Sequence, residues 1–569
     1  MLIYRDKALL AIFSKTISMC FSFLLRSLLF TGTLYITMSG SFADTPQIES
    51  KNAPVISLQN QGKIQGIFDR NLVIFKGVPY ASPPVQSFRW LPPQPVQKWQ
   101  GIKETTRFAP ICSQKATSWD TDPALKNTSE DCLYLNIWAP KAFFDHPQDQ
   151  HLYPVMVWIH GGAFVSGGSS LEIYNPSALA QQGIVVVSFN YRLGRFGFFA
   201  HPALKQESEE DQWANYGLMD QIAALKWVKN NIISFGGDSN NVTVFGESAG
   251  GASIISLMTI TDAKGLFDKA IIQSGTGHSK AFPLTPQNQA EAIGINFAQK
   301  HHILSSGVDA LQELRSLPTD YIIDDLNIQN LQPNLFAGLI IDQTLLTQSL
   351  EEAYVKGDFY PVPLLIGDTD GDGLLLSKTS LADLAKDLHT TTEAINHIYN
   401  PDNKKSESSI IHQLIADTQI LEPTRQLAHQ VASKNKPVYR FRFSYIADAA
   451  RSYSSFGATH ASEIPYIFDN LSKAYRSVSN QDHAMAKAIM MSWVNFAKNG
   501  NPSVQGFPIF LPINQAPEQL LHFGMDGIKF EKDPFKNRLD FIESIFTKKN
   551  SKNKQDIPVN KNLPKYPTR

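Results

Sequence analysis

The sequence predicts an α/β fold: a mostly parallel central sheet, doubly wound, with helices on both faces. Three observations carry that expectation. Continuous apolar runs rich in β-branched and aromatic residues recur along the chain, each closing on a glycine-containing turn. Helical patterns lie between them, and strands that alternate with helices build a parallel sheet buried on both sides. One run, 242–245, passes directly into Gly246-Glu247-Ser248-Ala249-Gly250-Gly251, a strand, a tight turn and a helix start in ten residues.

Taken in order, residues 1–43 read as an export signal. Arg5, Lys7, Lys15 and Arg26 are positive, 27–38 is moderately apolar, and Ser41-Phe42-Ala43 offers small residues for cleavage. A start at Met19 gives a tidier signal. An uncleaved anchor is the alternative, and the Ser, Thr and Gly that dilute the apolar run argue against it. No later stretch reaches the roughly 18 apolar residues of a membrane span. Cys20 leaves with the signal, so Cys112 and Cys132 remain, and an even pair in an exported chain predicts a disulfide rather than two buried thiols. Closing that loop is worth roughly 3 kcal/mol on a chain-entropy estimate. Sequons at Asn127, Asn241 and Asn470 matter only in a host that glycosylates exported proteins.

Residues 44–546 read as one large domain. Segment 62–75 has hairpin character, and Pro79, Pro83, Pro84, Pro92 and Pro93 mark an extended, turn-rich passage. Strands are expected at 155–159, 184–189, 242–245, 270–273, 362–366 and 438–443. Leu218, Ile222, Leu225 and Ile232 recur near the helical period, with Gly236-Gly237 where a helix stop belongs. Segment 280–355 is helical and irregular, and is expected to be an insertion that covers a pocket. From Thr547 the chain is basic and poor in apolar residues, so 547–569 is expected to be a disordered tail, with weak contact to an anionic surface as a lesser expectation. The 569 residues are 43% apolar and 18% charged with a net charge of −1, which argues against a general nucleic-acid binder.

The 246–251 turn carries the chemistry. In G-x-S-x-G the strained strand-to-helix turn lifts the serine Oγ above the sheet edge. Gly246 and Gly250 leave room for close backbone crossings, and the helix start offers free N–H groups to a developing negative charge. The bland alternative is a structural serine in a tight turn. A serine hydroxyl needs a base. Of His389, His397, His412, His429, His460, His483 and His522, His460 stands out, on a loop after Gly457-Ala458 and ahead of Ile464-Pro465-Tyr466. A carboxylate must orient that base. Gly367-Asp368-Thr369-Asp370-Gly371-Asp372-Gly373 supplies three choices, in the order Ser…Asp…His. The same run is similar to a calcium loop but lacks its terminal Glu, so metal binding is the minor alternative. His160-Gly161-Gly162-Ala163 follows strand 155–159, and glycines there let backbone amides turn inward toward an oxyanion.

These motifs resemble the type-B carboxylesterase/lipase family, the α/β-hydrolase branch that includes para-nitrobenzyl esterases and cholinesterases. The resemblance spans 60–545. It rests on Gly77-Val78-Pro79-Tyr80-Ala81, Glu130-Asp131-Cys132-Leu133-Tyr134-Leu135-Asn136-Ile137, His160-Gly161-Gly162-Ala163-Phe164, Asn190-Tyr191-Arg192-Leu193-Gly194, Phe235-Gly236-Gly237-Asp238, the serine turn, and Gly457-Ala458-Thr459-His460. It implies an α/β-hydrolase fold with a helical insertion over the active site, and a Ser248, Asp372, His460 triad. Asp372 stands where the family usually has Glu; one methylene shorter, its loop must lie closer to His460. Asp370 is the rival and Asp368 a third choice. The implied oxyanion donors are the N–H groups of Gly162, Ala163 and Ala249, with Ala163 where many relatives have a third Gly. Arg89–Glu130 and Arg192–Asp220 are implied structural ion pairs, and Glu247 a supporting residue.

The implied activity is that of an exported serine carboxylesterase acting on small-molecule esters through an acyl-enzyme, with no cofactor and no metal. The broad glycine-formed oxyanion loop implies tolerance of bulky alcohols. Alternatives are a lipase with a lid at 303–345, and an adhesion or scaffold protein that has lost catalysis. A cholinesterase would want a tryptophan just upstream of Glu130, and Trp119 is not at the matching spacing.

Overall fold

Side-chain alternation along the strands sorts the apolar residues onto two faces of one sheet. The computed structural model describes residues 54–117, 121–149, 151–208, 212–275, 284–373 and 380–555. Residues 1–43, read above as an export signal, Trp119 and the chain beyond Gln555 lie outside them. Among the described residues eleven strands join in the main sheet: β1 (Ile67–Asp69), β2 (Leu72–Pro79), β3 (Tyr134–Pro140), β4 (Tyr153–Ile159), β5 (Val185–Phe189), β6 (Gly237–Glu247), β7 (Lys269–Gln273), β8 (Leu364–Thr369), β9 (Val438–Phe443), β10 (Gln519–Gly524) and β11 (Gly527–Lys532). Their spatial order is β11-β10-β9-β8-β7-β6-β4-β5-β3-β2-β1. Strands β4 to β10 are parallel. The flanking strands pair antiparallel, and β1–β2 is the hairpin expected within 62–75.

In β4, Val155, Val157 and Ile159 point into one core and Met156 and Trp158 into the other, all fully buried. The longer helices are α1 (Tyr216–Asn231), α2 (Ala249–Leu257), α3 (Gln287–Lys300), α4 (Asp309–Ser316), α5 (Glu422–Ala432), α6 (Asn480–Asn499) and α7 (Lys536–Gln555), of which α1, α2, α5 and α6 cover the two faces. Leu218, Ile222 and Leu225 of α1, Ile254 of α2 and Leu427 of α5 cover the first face. Met485, Ile489 and Trp493 of α6 cover the second. After α1 the chain tightens into a 3₁₀ turn at Ile232–Phe235 and stops at Gly236, φ 79°, at the expected stop signal.

Segment 284–355 builds its own small core, in which Phe297, Leu311 and Leu314 pack with Trp90, Phe199 and Trp213. Its Phe336 ring is 6.4 Å from Phe198, which is 5.0 Å from Phe164 on the loop after β4. Both implied ion pairs form: Arg89–Glu130 at 2.6 Å and Arg192–Asp220 at 2.7 Å, each buried. Removing one partner of such a pair leaves a buried charge, at a cost of about 3–5 kcal/mol. Cys112 and Cys132 are disulfide-bonded, as expected. Helix α7 runs to Gln555, into the stretch assigned from Thr547 onward to a disordered tail.

The chain visits β5 on one side of β4 and then crosses to β6 on the other. Such a reversal opens a crevice at the carboxyl ends of the two strands, the usual ligand position in sheets of this type.

Candidate active site

Strand β6 delivers Ser248 to that crevice in a backbone conformation few non-glycine residues adopt, φ 55° and ψ −123°. Strain of this kind costs about 1–3 kcal/mol and persists where the surroundings impose it. Here they do. A Cβ on Gly250 would lie 2.0 Å from the Ile159 carbonyl oxygen, so the start of α2 crosses directly over the end of β4. The Ser248 amide donates to the Gln273 carbonyl at 2.9 Å. Its side chain sits in a residue only 6% exposed, and the hydroxyl makes no hydrogen bond to any other described residue. The Ala249 amide, first in α2, likewise donates to no described group.

The loop after β4 carries three successive residues with positive φ: Gly162 at 106°, Ala163 at 53° and Phe164 at 63°. Gly162 is obligatory, because a Cβ there would stand 2.1 Å from the Ser166 carbonyl oxygen. Its own carbonyl accepts from the amides of Val165 and Ser166 at 3.0 and 2.9 Å. The Gly162 and Ala163 amides donate to no described residue. His160, at the base of this loop, stacks on Tyr191 with ring centroids 4.4 Å apart. Burial lowers its pKa to about 4, so it is neutral.

Asp368, near the end of β8, and Asp370 and Asp372, just after it, have three different partners. Asp368 pairs with Arg442 at 2.7 Å, and Asp370 accepts from the Ala458 amide at 2.6 Å. Asp372 alone touches the imidazole: His460 Nδ1–H donates to its Oδ1 at 2.6 Å. The other oxygen of Asp372 accepts from the Ser274 hydroxyl at 2.6 Å and the Thr369 amide at 3.1 Å. The shorter acid reaches because its loop is stitched to the histidine loop. Gly371 N–H donates to the Ala458 carbonyl at 2.9 Å, and Gly371 bridges Thr459.

The second imidazole nitrogen, Nε2, lies 3.0 Å from Glu247 Oε1. Burial works against a charged ring, but the Glu247 and Asp372 carboxylates outweigh it and hold the His460 pKa well above the ordinary histidine value. Ser248, Glu247, His460, Asp372 and the Gly162 loop therefore meet at one end of the sheet. Nε2 faces the carboxylate of residue 247 rather than the hydroxyl of residue 248.

Several residues here carried no motif. Glu463, 1% exposed, accepts from Gln273 Nε2 at 3.0 Å; burial first and Glu247 second push its pKa up to about 8. Its only sequence signal is an isolated acid ahead of Ile464-Pro465-Tyr466. Ser274 has none, because its role depends on β7 ending beside β8. His412 is buried: its Nε2–H donates to the Gly371 carbonyl at 3.1 Å and its ring stacks on Phe456 at 4.6 Å.

A cavity of about 260 Å³ opens beside His460, walled by Ile173, Tyr445, Ala447, Tyr453 and Tyr475 among others. No Asp, Glu, Lys or Arg lines it. A larger one, about 350 Å³, lies among Glu422, Arg425, Arg440 and Asp533 and includes none of the residues above.

Known proteins share this arrangement of chain. The model of the carboxylesterase family matches residues 52–542. The fumonisin B1 esterase of Sphingopyxis macrogoltabida is 34% identical over 508 residues, 86% of this chain and 89% of that one. The para-nitrobenzyl esterase of Bacillus subtilis (strain 168) is 35% identical over 463 residues, 78% of this chain and 90% of that one. A solved structure of a PNB esterase superposes with a TM-score of 0.71 at 33% identity, covering 86% of this chain and all of that one. The sheet described above is thus that of an α/β-hydrolase, and the chain belongs to the carboxylesterase family and is a carboxylic ester hydrolase.

Proposed function

We propose that the chain is an exported serine carboxylesterase that works through Ser248, His460 and Asp372. The observation that carries the reading is the 2.6 Å contact of His460 with a buried Asp372, next to a strained serine turn. The His460 ring, anchored at Nδ1 by Asp372, tilts from Glu247 toward the Ser248 hydroxyl when an ester enters. Catalytic hydrogen bonds commonly tighten only in the substrate complex. Nε2 takes the hydroxyl proton as Oγ attacks the carbonyl carbon. The tetrahedral oxyanion is met by the amides of Gly162, Ala163 and Ala249, which have no other described acceptor. The imidazolium gives its proton to the departing alcohol, leaving an acyl-Ser248. Water then attacks by the same proton route and releases the acid. Asp372 keeps the ring in one tautomer and stabilises its charged form. Arg442 and the Ala458 amide occupy Asp368 and Asp370, which favours Asp372 over both.

The cavity beside His460, lined by no Asp, Glu, Lys or Arg, suits neutral, partly aromatic ester groups, and esters of para-nitrobenzyl alcohol are suitable first substrates. The Cys112–Cys132 disulfide supports passage to an oxidising compartment, and no described helix is long and apolar enough to cross a membrane. N-terminal sequencing of the mature protein checks the cut near Ala43. The decisive test of the chemistry is Ser248→Ala, which should lower turnover of a short-chain p-nitrophenyl ester by about 10⁵–10⁶. Full activity in that variant removes the mechanism.

A second reading, a lipase for longer acyl chains, draws on Leu304, Val308 and Tyr321. They are 82%, 57% and 55% exposed on the insertion, apolar side chains open to an oil surface. A jump in rate above the substrate's solubility limit would favour it.

A further inference from the structure

The loop that presents the Gly162 and Ala163 amides is short and unusually bent, so something must hold it. Gln114 does. This side chain is 8% exposed and comes from outside the sheet, two residues after the disulfide cysteine Cys112. Its Oε1 accepts from the Gly167 amide at 2.8 Å and from the Ser166 hydroxyl at 3.1 Å. Its Nε2 donates to the Gly167 carbonyl at 2.6 Å and to the Cys112 carbonyl at 2.9 Å. A primary amide has two acceptor sites and two N–H donors, and all four are used. Only one orientation of the amide satisfies the network, since the Gly167 N–H requires an acceptor and its carbonyl a donor.

The clasp is relayed to the oxyanion amides by contact. Gly162 lies against the Ser166 peptide, and accepts from its amide at 2.9 Å. Gly167 lies against Gly161: a Cβ on Gly167 would be 2.7 Å from the Gly161 carbonyl oxygen. Gln114 therefore grips the two residues on which both sides of the Gly161-Gly162 turn rest.

We propose that Gln114 is a positioning residue for the oxyanion-binding amides, tying the Cys112–Cys132 segment to the loop after β4. The inference rests on the serine esterase reading above and adds to it a residue that touches neither substrate nor Ser248. Loss of one oxyanion donor costs about 10²–10³ in turnover, and loosening two donors without removing them costs less. Gln114→Ala should lower kcat per active site about ten- to hundredfold, with KM within about threefold of wild type, because the amides matter in the transition state and little in ground-state binding. Affinity for a trifluoromethyl ketone, whose hydrated or serine-bound oxygen mimics the oxyanion, should fall in parallel with kcat/KM.

The experiment is titration of active sites with a fluorophosphonate, then kcat, KM and trifluoromethyl ketone inhibition, for wild type, Gln114→Ala, Gln114→Glu and Ser248→Ala. Gln114→Glu keeps size and the acceptor edge but opposes two carbonyls with a carboxylate, and should show the same kcat loss. It also serves if the alanine variant fails to fold. A purely structural glutamine would reduce the number of titratable sites and leave kcat per site and inhibitor affinity unchanged; that result overturns the proposal. Retained turnover in Ser248→Ala would instead remove the reading beneath it.

Discussion

Nε2 of His460 lies 3.0 Å from Oε1 of Glu247, the residue immediately before Ser248, while Nδ1 of the same ring is 2.6 Å from Asp372. The imidazole thus rests between two carboxylates. They outweigh the burial that opposes its charge and raise its pKa well above the ordinary value. A raised pKa means the ring sheds its proton only at higher pH, so the acidic limb of kcat/KM should lie above the usual histidine range. Glu247→Gln removes one of the two charges and should move that limb to lower pH, as seen in a pH–rate profile. An unmoved limb would show that Glu247 does not set the charge of the base.

Asp372 and Asp370 are two residues apart in sequence and hold different parts of the same loop. Asp372→Asn leaves the shape but offers the wrong partner to Nδ1–H, and should lower kcat about 10⁴-fold. Asp370→Asn keeps an acceptor for the Ala458 amide and should cost about tenfold or less, in line with about 1 kcal/mol for a weakened hydrogen bond. Reversed magnitudes would reassign the acid. Single-turnover kinetics on both variants settles the matter.

The Cys112–Cys132 bond closes a loop with a sequence separation of 20 and ends beside Gln114. Replacing both cysteines by serine should lower stability by roughly 3 kcal/mol, read as a drop in thermal midpoint. The same variant should lose kcat before it unfolds, because the Gln114 clasp loses its anchor. A stability loss with unchanged kcat would separate the two effects.

Much of the fold could be read from local pattern, and the reason is burial. Strand β4 announces itself because both faces are covered, so Val155 to Ile159 is apolar without interruption. Strand β6 is longer than its apolar run 242–245: it begins at Gly237, with irregular register up to Val242, and continues through Glu247 opposite Gln273. Polar residues joined the strand through backbone pairing, which leaves no mark on side-chain pattern. The basic stretch from Thr547 to Gln555 carries no apolar pattern, for a related reason. Lysine and glutamine are good helix formers, so α7 continues beyond its last buried apolar residue, Ile542.

Within the candidate site, the residues that the sequence singles out sit on glycine-marked turns: Ser248, Gly162, Ala163, Ala249, Asp372 and His460. Those that act across the fold carry no such mark. Ser274, Glu463 and Gln114 are ordinary polar residues whose partners lie 98, 190 and 53 positions away. Only the closing of β7 beside β8, and of the disulfide segment onto the loop after β4, brings such partners together.

The most direct measurement is intact-mass and peptide mapping after reaction with a fluorophosphonate. Attack by an activated Ser248 should give one adduct per chain, on the peptide containing residues 246–251, with ester turnover lost in proportion. Adducts at another residue, or full turnover with Ser248 phosphonylated, would contradict the assignment of Ser248 as the nucleophile.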